Sequence, residues 1–330
     1  MTARLPLRAV CLGAGGFNHA NHAPVLKRLA EGDAPRLSLE AICDLDRARA
    51  ERFQQEFGFR QVYTDLARMM EETRPEVVYS LVQPTATAGV VSQVLPTGLP
   101  VFTEKPPGVT VEEANPLAEL AETHGNLTYV AFNRRQMPVL RWLKQWLTDH
   151  APVRYVRGEM LRNRRREPEF GIGTAIHALD ALRFLCGDVA GVGVRAQPYG
   201  DGGCADYFVN LRFVGGLIAD LQVVVDCGML RESYHAFSER AGAAAVLGAG
   251  YSSPWLQPGL ATHADAGEPA FTPVPTDHHE AGGFLGEHVA FLNAVDSGEQ
   301  PDCCLQDAAK SVALATEVHA AFRKLGGRSY

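Results

Sequence analysis

Cysteine is scarce. There are seven in 330 residues, at 11, 43, 186, 204, 227, 303 and 304. None forms C-x-x-C and the count is odd, which excludes a disulfide-stapled scaffold and points to reduced thiols in a cytoplasmic protein. Cys303-Cys304 reads as reduced, because adjacent cysteines pair only under strain. Long apolar runs are also missing; none approaches the roughly 18–20 residues that span a bilayer, so no membrane partner is expected. The N-terminal apolar stretch runs directly into a glycine loop and is not expected to be a secretion signal. Positive charge is in deficit, 31 Lys+Arg against 38 Asp+Glu for a net charge of −7. A field of that sign disfavours nucleic acid, whose binding rests on phosphate neutralisation. Internal repeats, long linkers and any serine, cysteine or histidine arrangement suited to a covalent nucleophile are absent. What is present is ordinary globular composition, 46% hydrophobic and 21% charged, enough for two domains with cores of their own.

The first third alternates short apolar runs with helical patterns, the signature of parallel βαβ units. Strands are expected at 7–12, 37–43, 77–82, 100–103 and 127–132. Helices are expected at 22–30, 47–57 (closed by Gly58), 88–95 and 111–124. After about residue 150 the pattern changes to longer strands, at 153–160, 191–196, 206–213 and 217–225, with Gly215-Gly216 as a tight hairpin signal. Helices at 174–185, 284–295 and 306–325 complete an α+β arrangement with a mostly antiparallel sheet. The boundary falls between 130 and 150, giving an N-terminal α/β Rossmann domain over 1–130 and an α+β substrate-binding and oligomerisation domain over 131–330.

The first strand ends in Gly13-Ala14-Gly15-Gly16-Phe17-Asn18. In a dinucleotide-binding turn Gly13 permits the tight bend and Gly15 lets backbone approach a pyrophosphate, which the following helix N-terminus attracts. Asn18 stands where the third glycine usually falls, and an ordinary βα turn is the alternative. The second strand ends at Cys43-Asp44, and an acid there accepts hydrogen bonds from ribose hydroxyls and repels a 2′-phosphate, favouring NAD over NADP. The alternative role for Asp44 is a helix cap, but Asp46 is the better cap. A further strand ends on Glu104-Lys105-Pro106. There a lysine can exchange a proton with a substrate hydroxyl, or it can be a surface lysine ahead of a loop.

With these residues in place the sequence closely resembles the glucose–fructose oxidoreductase / inositol dehydrogenase / rhizopine catabolism (Gfo/Idh/MocA) family. The resemblance is carried by the loop 13–18, Asp44, Glu104-Lys105-Pro106, Phe132-Asn133-Arg134-Arg135, His177-Ala178-Leu179-Asp180, and the run 283–298 with Pro301. It implies a Rossmann domain followed by a domain with an open sheet, and hydride transfer between a nicotinamide cofactor and a sugar, polyol or related hydroxy/keto compound. It implies catalytic roles for Lys105 and His177; the residues alone leave His177 as a satisfied helix histidine, beside Asp180 at i+3, which can orient its ring. Cofactor contacts are implied for Gly13, Gly15, Gly16, Phe17, Asn18, Asp44, Pro84, Glu104 and Lys105, with no metal. It also implies a carbohydrate-like small-molecule partner and a homo-oligomer, dimer or tetramer, formed through the open sheet.

Several positions depart from the family pattern. The second motif usually reads D-x-G-x-H-x-x-D; here Gly173 replaces the first aspartate and Ala175 the glycine. Lys105 and His177 can manage the proton between them, or Glu167 or Glu169 can supply a carboxylate. The alternative is a catalytically weak nucleotide-binding sensor or regulatory subunit; redox-neutral chemistry with recycled NAD is a third reading. After the fourth strand Pro84 is kept, but Thr85 and Ala88 replace the usual asparagine and histidine. His22 stands one place past the family's common position. Arg162, Arg164, Arg165 and Arg166 form a basic loop, read as solvated rather than as an anion site. Asp277-His278-His279-Glu280, and His19 and His22 with Cys11, lack the spacing of a metal site.

Overall fold

The computed structural model describes residues 5–168, 170–200, 204–247, 260–265, 270–272 and 275–324. The chain packs into two compact units, one holding the residues up to Phe132 together with Phe284–Lys310, the other Asn133–Gly283 with the residues from Ser311 onward. The sequence places one boundary between 130 and 150; in the structure residues 284–310 pack with the first unit.

The first unit is a Rossmann domain. Its strands are β1 (Leu7–Leu12), β2 (Leu37–Cys43), β3 (Gln61–Tyr63), β4 (Val77–Ser80), β5 (Val101–Thr103) and β6 (Thr128–Val130). They form one parallel sheet in the order β3-β2-β1-β4-β5-β6. The order reverses between β1 and β4, which opens a crevice at the carboxyl edge. Helices α1 (Ala23–Glu31), α2 (Arg47–Phe57), α3 (Leu66–Thr73), α4 (Pro84–Val94) and α5 (Val111–His124) connect the strands. Asp46 caps α2 by accepting from the Arg49 N–H, as expected. Helix α4 starts four residues before the expected 88, because Pro84 is suited to a first helical position.

A segment remote in sequence joins this core for a physical reason. Within the first unit, the His288 ring stacks on Phe102 at 4.5 Å and Phe291 meets Tyr79 edge-on at 5.5 Å. Both belong to α9 (Phe284–Ser297), and both are fully buried. Truncating a buried aromatic of this kind costs roughly 3–5 kcal/mol, which is what holds α9 on the Rossmann unit.

The second unit is built on an eight-stranded sheet in the order β14-β13-β12-β11-β7-β10-β9-β8. Its strands are β7 (Tyr155–Leu161), β8 (Val189–Pro198), β9 (Ala205–Phe213), β10 (Ile218–Val224), β11 (Arg231–Phe237), β12 (Ala241–Leu247), β13 (Leu260–Asp265) and β14 (Ala270–Thr272). Among the described residues of this sheet only β7 and β10 pair in parallel. Gly216 turns the β9–β10 hairpin at φ +82°, a conformation that favours glycine. Helices α6 (Pro138–Asp149) and α7 (Ile176–Cys186) and the short α8 (His278–Ala281) belong to this unit, and α10 (Leu305–Arg323) closes the fold. Strands β3 and β11–β14 and helices α3, α6 and α8 were not expected from the sequence. No described helix is long and apolar enough to cross a membrane, and the described cysteines are free thiols.

Candidate nucleotide-binding site and the second-unit motifs

Gly13 leaves β1 at φ +94°, and a Cβ there would stand 2.6 Å from the Leu81 carbonyl oxygen. Backbone conformation and space both demand glycine. Gly15 and Gly16 are the opposite case: a Cβ at either meets nothing within 4 Å. That open ground in front of a helix start is what close approach by a pyrophosphate requires. On this ground the loop fits a dinucleotide. Phe17 is half-exposed at the loop tip.

Asp44 is part of the loop's construction. One carboxylate oxygen accepts the Ala14 N–H at 2.7 Å and the other the Asp46 N–H at 2.9 Å. Two oxygens offer about four acceptor positions, so Asp44 retains capacity for ribose hydroxyls. Asn18 is 2% exposed and turned inward, donating to the Gly13 carbonyl at 2.5 Å and toward Cys11 Sγ at 3.4 Å. It fastens the loop from beneath instead of lining it. Burial pushes the Cys11 thiol up to about 12, leaving it unreactive.

Pro84 lies exposed at the first turn of α4. Lys105, half-buried, follows β5 at the same carboxyl edge. Its backbone N–H donates to Glu104 Oε2 at 2.9 Å, and Glu104 is 7% exposed. The first unit thus brings Gly13, Gly15, Gly16, Phe17, Asp44, Pro84, Glu104 and Lys105 to one sheet edge. Asn18 supports them from inside.

In the second unit, the chain enters α7 through a wide π-type turn at Gly171–Ala175, and His177 is buried in the first turn of the helix. Asp180 does not orient His177. It accepts Arg135 Nε at 2.9 Å and Ser311 Oγ at 2.7 Å, and Arg183 in turn donates to Ser311. An arginine fork outcompetes a ring for a fully buried carboxylate. Gly173 faces open space, with nothing within 4 Å of a Cβ. Glu167 pairs with Arg165 at 2.6 Å; Glu169 lies outside the described residues.

The basic loop is largely paired within its own unit. Arg165 also donates to Thr174, and Arg166 binds Asp226 at 2.7 Å while lying 4.3 Å from the Tyr199 ring centroid. Arg162 is not a loop-surface residue at all; it is 7% exposed and paired with Glu232. Burial alone would raise the Glu232 carboxyl, but Arg134 and Arg162 outweigh it and hold the group down at about 2. The sequence reading missed this buried triad, although Arg134 stood in a motif it quoted. Asp277 caps α8 through the Glu280 N–H at 2.9 Å, which gives that polar run a structural role.

Sheet order, glycine loop and Asp44 together define a Rossmann fold of the dinucleotide-binding type. Residues 7–132 match the sequence model described as "Oxidoreductase family, NAD-binding Rossmann fold", in agreement with the Gfo/Idh/MocA resemblance of this nucleotide-binding part of the chain. The D-glucoside 3-dehydrogenase of Escherichia coli is 26% identical over 208 residues, an alignment spanning 59% of this chain and 58% of that protein. The chain therefore matches little more than half the length of that relative. Among solved structures, an Agrobacterium radiobacter oxidoreductase in complex with NAD+, L-tartaric acid and magnesium superposes with a TM-score of 0.82 at 17% identity, covering 97% of each chain. KijD10, a 3-ketoreductase from Actinomadura kijaniata in complex with NADP and TDP-benzene, gives 0.76 at 17% identity, covering 96% of this chain and 98% of its own. These likenesses extend the shared fold over nearly the whole chain.

Proposed function

We propose that the protein is an NAD-dependent dehydrogenase or reductase acting on the CH–OH group, or the corresponding carbonyl, of a sugar, polyol or related small molecule. One observation carries this reading: a glycine loop, the ribose-side acid Asp44 and Lys105 stand together at the carboxyl edge of one parallel sheet. The nicotinamide, when bound, exchanges a hydride with the substrate carbon. Lys105 exchanges the matching proton with the substrate oxygen, as an amine when the alcohol is oxidised and as an ammonium when the carbonyl is reduced. His177, in the second unit, is assigned a hydrogen bond to the substrate. The glycine loop and Asp44 hold the nucleotide, and the Asp44 carboxylate favours NAD by repelling a 2′-phosphate. The sensor alternative draws no support from the named relative, a dehydrogenase.

The test is a fluorescence titration with NADH and NADPH, followed by an absorbance screen of sugars and polyols with Lys105→Ala beside the wild type. NADH is expected to bind at least about tenfold tighter than NADPH, because a phosphate against a carboxylate is penalised. Lys105→Ala is expected to bind NADH like the wild type and to lose about 100-fold or more in turnover. Full activity in Lys105→Ala removes its assigned role; equal binding of NADPH removes the one assigned to Asp44.

A further inference from the structure

Behind the Glu104-Lys105 strand end, inside the first unit, runs a buried chain of polar groups that the reaction above leaves unused. Glu104 holds the Lys105 N–H with Oε2, and its Oε1 lies 2.6 Å from His22 Nε2. His22 Nδ1 lies 3.0 Å from His288 Nε2 and 3.6 Å from Glu287 Oε1. His22, Glu287 and His288 are fully buried. The rings of Phe17, Phe102 and Phe284 pack around His22, and Tyr79 packs against His288.

One assignment that satisfies these contacts has Glu104 ionised and the His22 ring neutral. An ionised carboxylate only accepts, so His22 carries a hydrogen on Nε2 and gives it to Glu104. In the neutral ring Nδ1 is then an acceptor, and His288 Nε2–H donates to it. Within this buried aromatic shell each bond polarises the next, so the chain is stiff and directional. Residues Asn18–His22 form a π-type turn before α1. Such a turn holds one residue more than an α-helical turn.

We propose that His22, held by His288 with Glu287 beside it, is a positioning residue. It fixes the Glu104 carboxylate, and through the Lys105 N–H it fixes the backbone that presents the Lys105 amine. The proposal rests on the proton-exchange role assigned to Lys105. The titratable groups facing His22 are Glu104, Glu287 and His288, with Tyr79 beyond His288. The same His22, Glu287 and His288 atoms lie within 4.8 Å of one another, as metal ligands would. The 3.0 Å separation of the ring nitrogens is an ordinary hydrogen-bond distance and accounts for the contact without an ion.

The experiment uses the full chain and no substrate, so it stands apart from any failure of the proposed reaction. Imidazole 15N spectra of the wild type should show His22 as the Nε2–H tautomer with a strongly downfield proton. His22→Phe fills the aromatic slot and removes both nitrogens, whereas His22→Gln keeps an amide donor for Glu104. Exchange of the Lys105 amide hydrogen should speed by about tenfold or more in His22→Phe and return toward the wild-type rate in His22→Gln, with Phe102 and Thr103 amides unchanged. If His22→Phe does not fold, Glu104→Gln preserves shape, removes the charge and is read in the same way. Once a substrate is in hand, His22→Phe should lower kcat while leaving KM for NAD within about twofold. The proposal falls if Lys105 exchange is equal in all folded variants, if His22 is the Nδ1–H tautomer, or if the purified protein carries a metal ligated by His22.

Discussion

Gly13 and Gly15 lie two residues apart and serve opposite purposes, which makes them a clean test of the loop. Gly13 is filled in by its own fold: φ is +94° and a new methyl would meet the Leu81 carbonyl at 2.6 Å. Gly13→Ala should therefore destabilise the folded protein by about 2 kcal/mol or more, from left-handed strain plus backbone displacement. At Gly15 the same methyl enters empty space, so stability should stay within about 1 kcal/mol of wild type and can rise, since alanine restricts the unfolded chain. The cost of Gly15→Ala should appear in NADH affinity, as a loss of about tenfold or more, because the methyl occupies ground reserved for the pyrophosphate. Thermal melts with and without NADH separate the two. A Gly15→Ala variant that binds NADH like the wild type would remove the loop from the cofactor site. The tight bend at Gly13 was legible because its demand is local. Asn18 was not, since an inward turn toward Gly13 and Cys11 is set by packing beneath the loop.

Among the elements, legibility followed the source of each element's stability. Strands β9 and β10 bury alternate residues, and that alternation is written in the sequence. Strand β12 reads AGAAAVL, a poor strand by propensity, and exists because β11 and β13 pair with both its edges. Strand β3 is three residues long and leaves no periodic signal. The ends of β7 and β11 are tied by another device the sequence did not announce, the Arg134–Glu232–Arg162 cluster. Its pH dependence has a definite sign. The Glu232 carboxyl lies at about 2 in the folded protein against an ordinary 4.5, so the folded state binds fewer protons than the unfolded state between those values. The stabilisation, on the order of 3 kcal/mol for a shift of this size, is fully present above pH 4.5 and is lost as pH falls toward 2. Urea midpoints of the wild type should fall over that window beyond the decline of Glu232→Gln, so that the gap between the two closes toward the acid end. A gap that stays constant from pH 6 to pH 2.5 would show that Glu232 is not held ionised by the two arginines.

For the molecule as a whole, the large sheet of the second unit poses the remaining question, because one of its faces carries exposed apolar side chains. Along β7 the residues Val156, Gly158 and Met160 are buried while Tyr155 and Arg157 point the other way. Strand register places Phe237 of β11 and Ile218 of β10 directly beside Tyr155. Phe237 is 41% and Ile218 45% exposed, and the Tyr155 and Phe237 rings stack at 5.9 Å. The next row on that face is polar and mixed in sign, His235, Arg157 and Asp220. An apolar row flanked by both charges suits a self-complementary surface, where a two-fold axis sets each row against its own copy. Association through this face is the expectation the open sheet raised at the start. Light scattering behind a sizing column should then give a multiple of 35.8 kDa for the wild type. Ile218→Arg should shift the protein toward that single-chain mass, since it sets like charges together at the centre of the contact. Ile218 is exposed in the single chain, so the substitution should leave the thermal melt of a monomeric sample within about 0.5 kcal/mol of stability. A wild type that elutes as one chain at micromolar concentration, or an Ile218→Arg variant that associates as before, would assign the apolar row to some other neighbour.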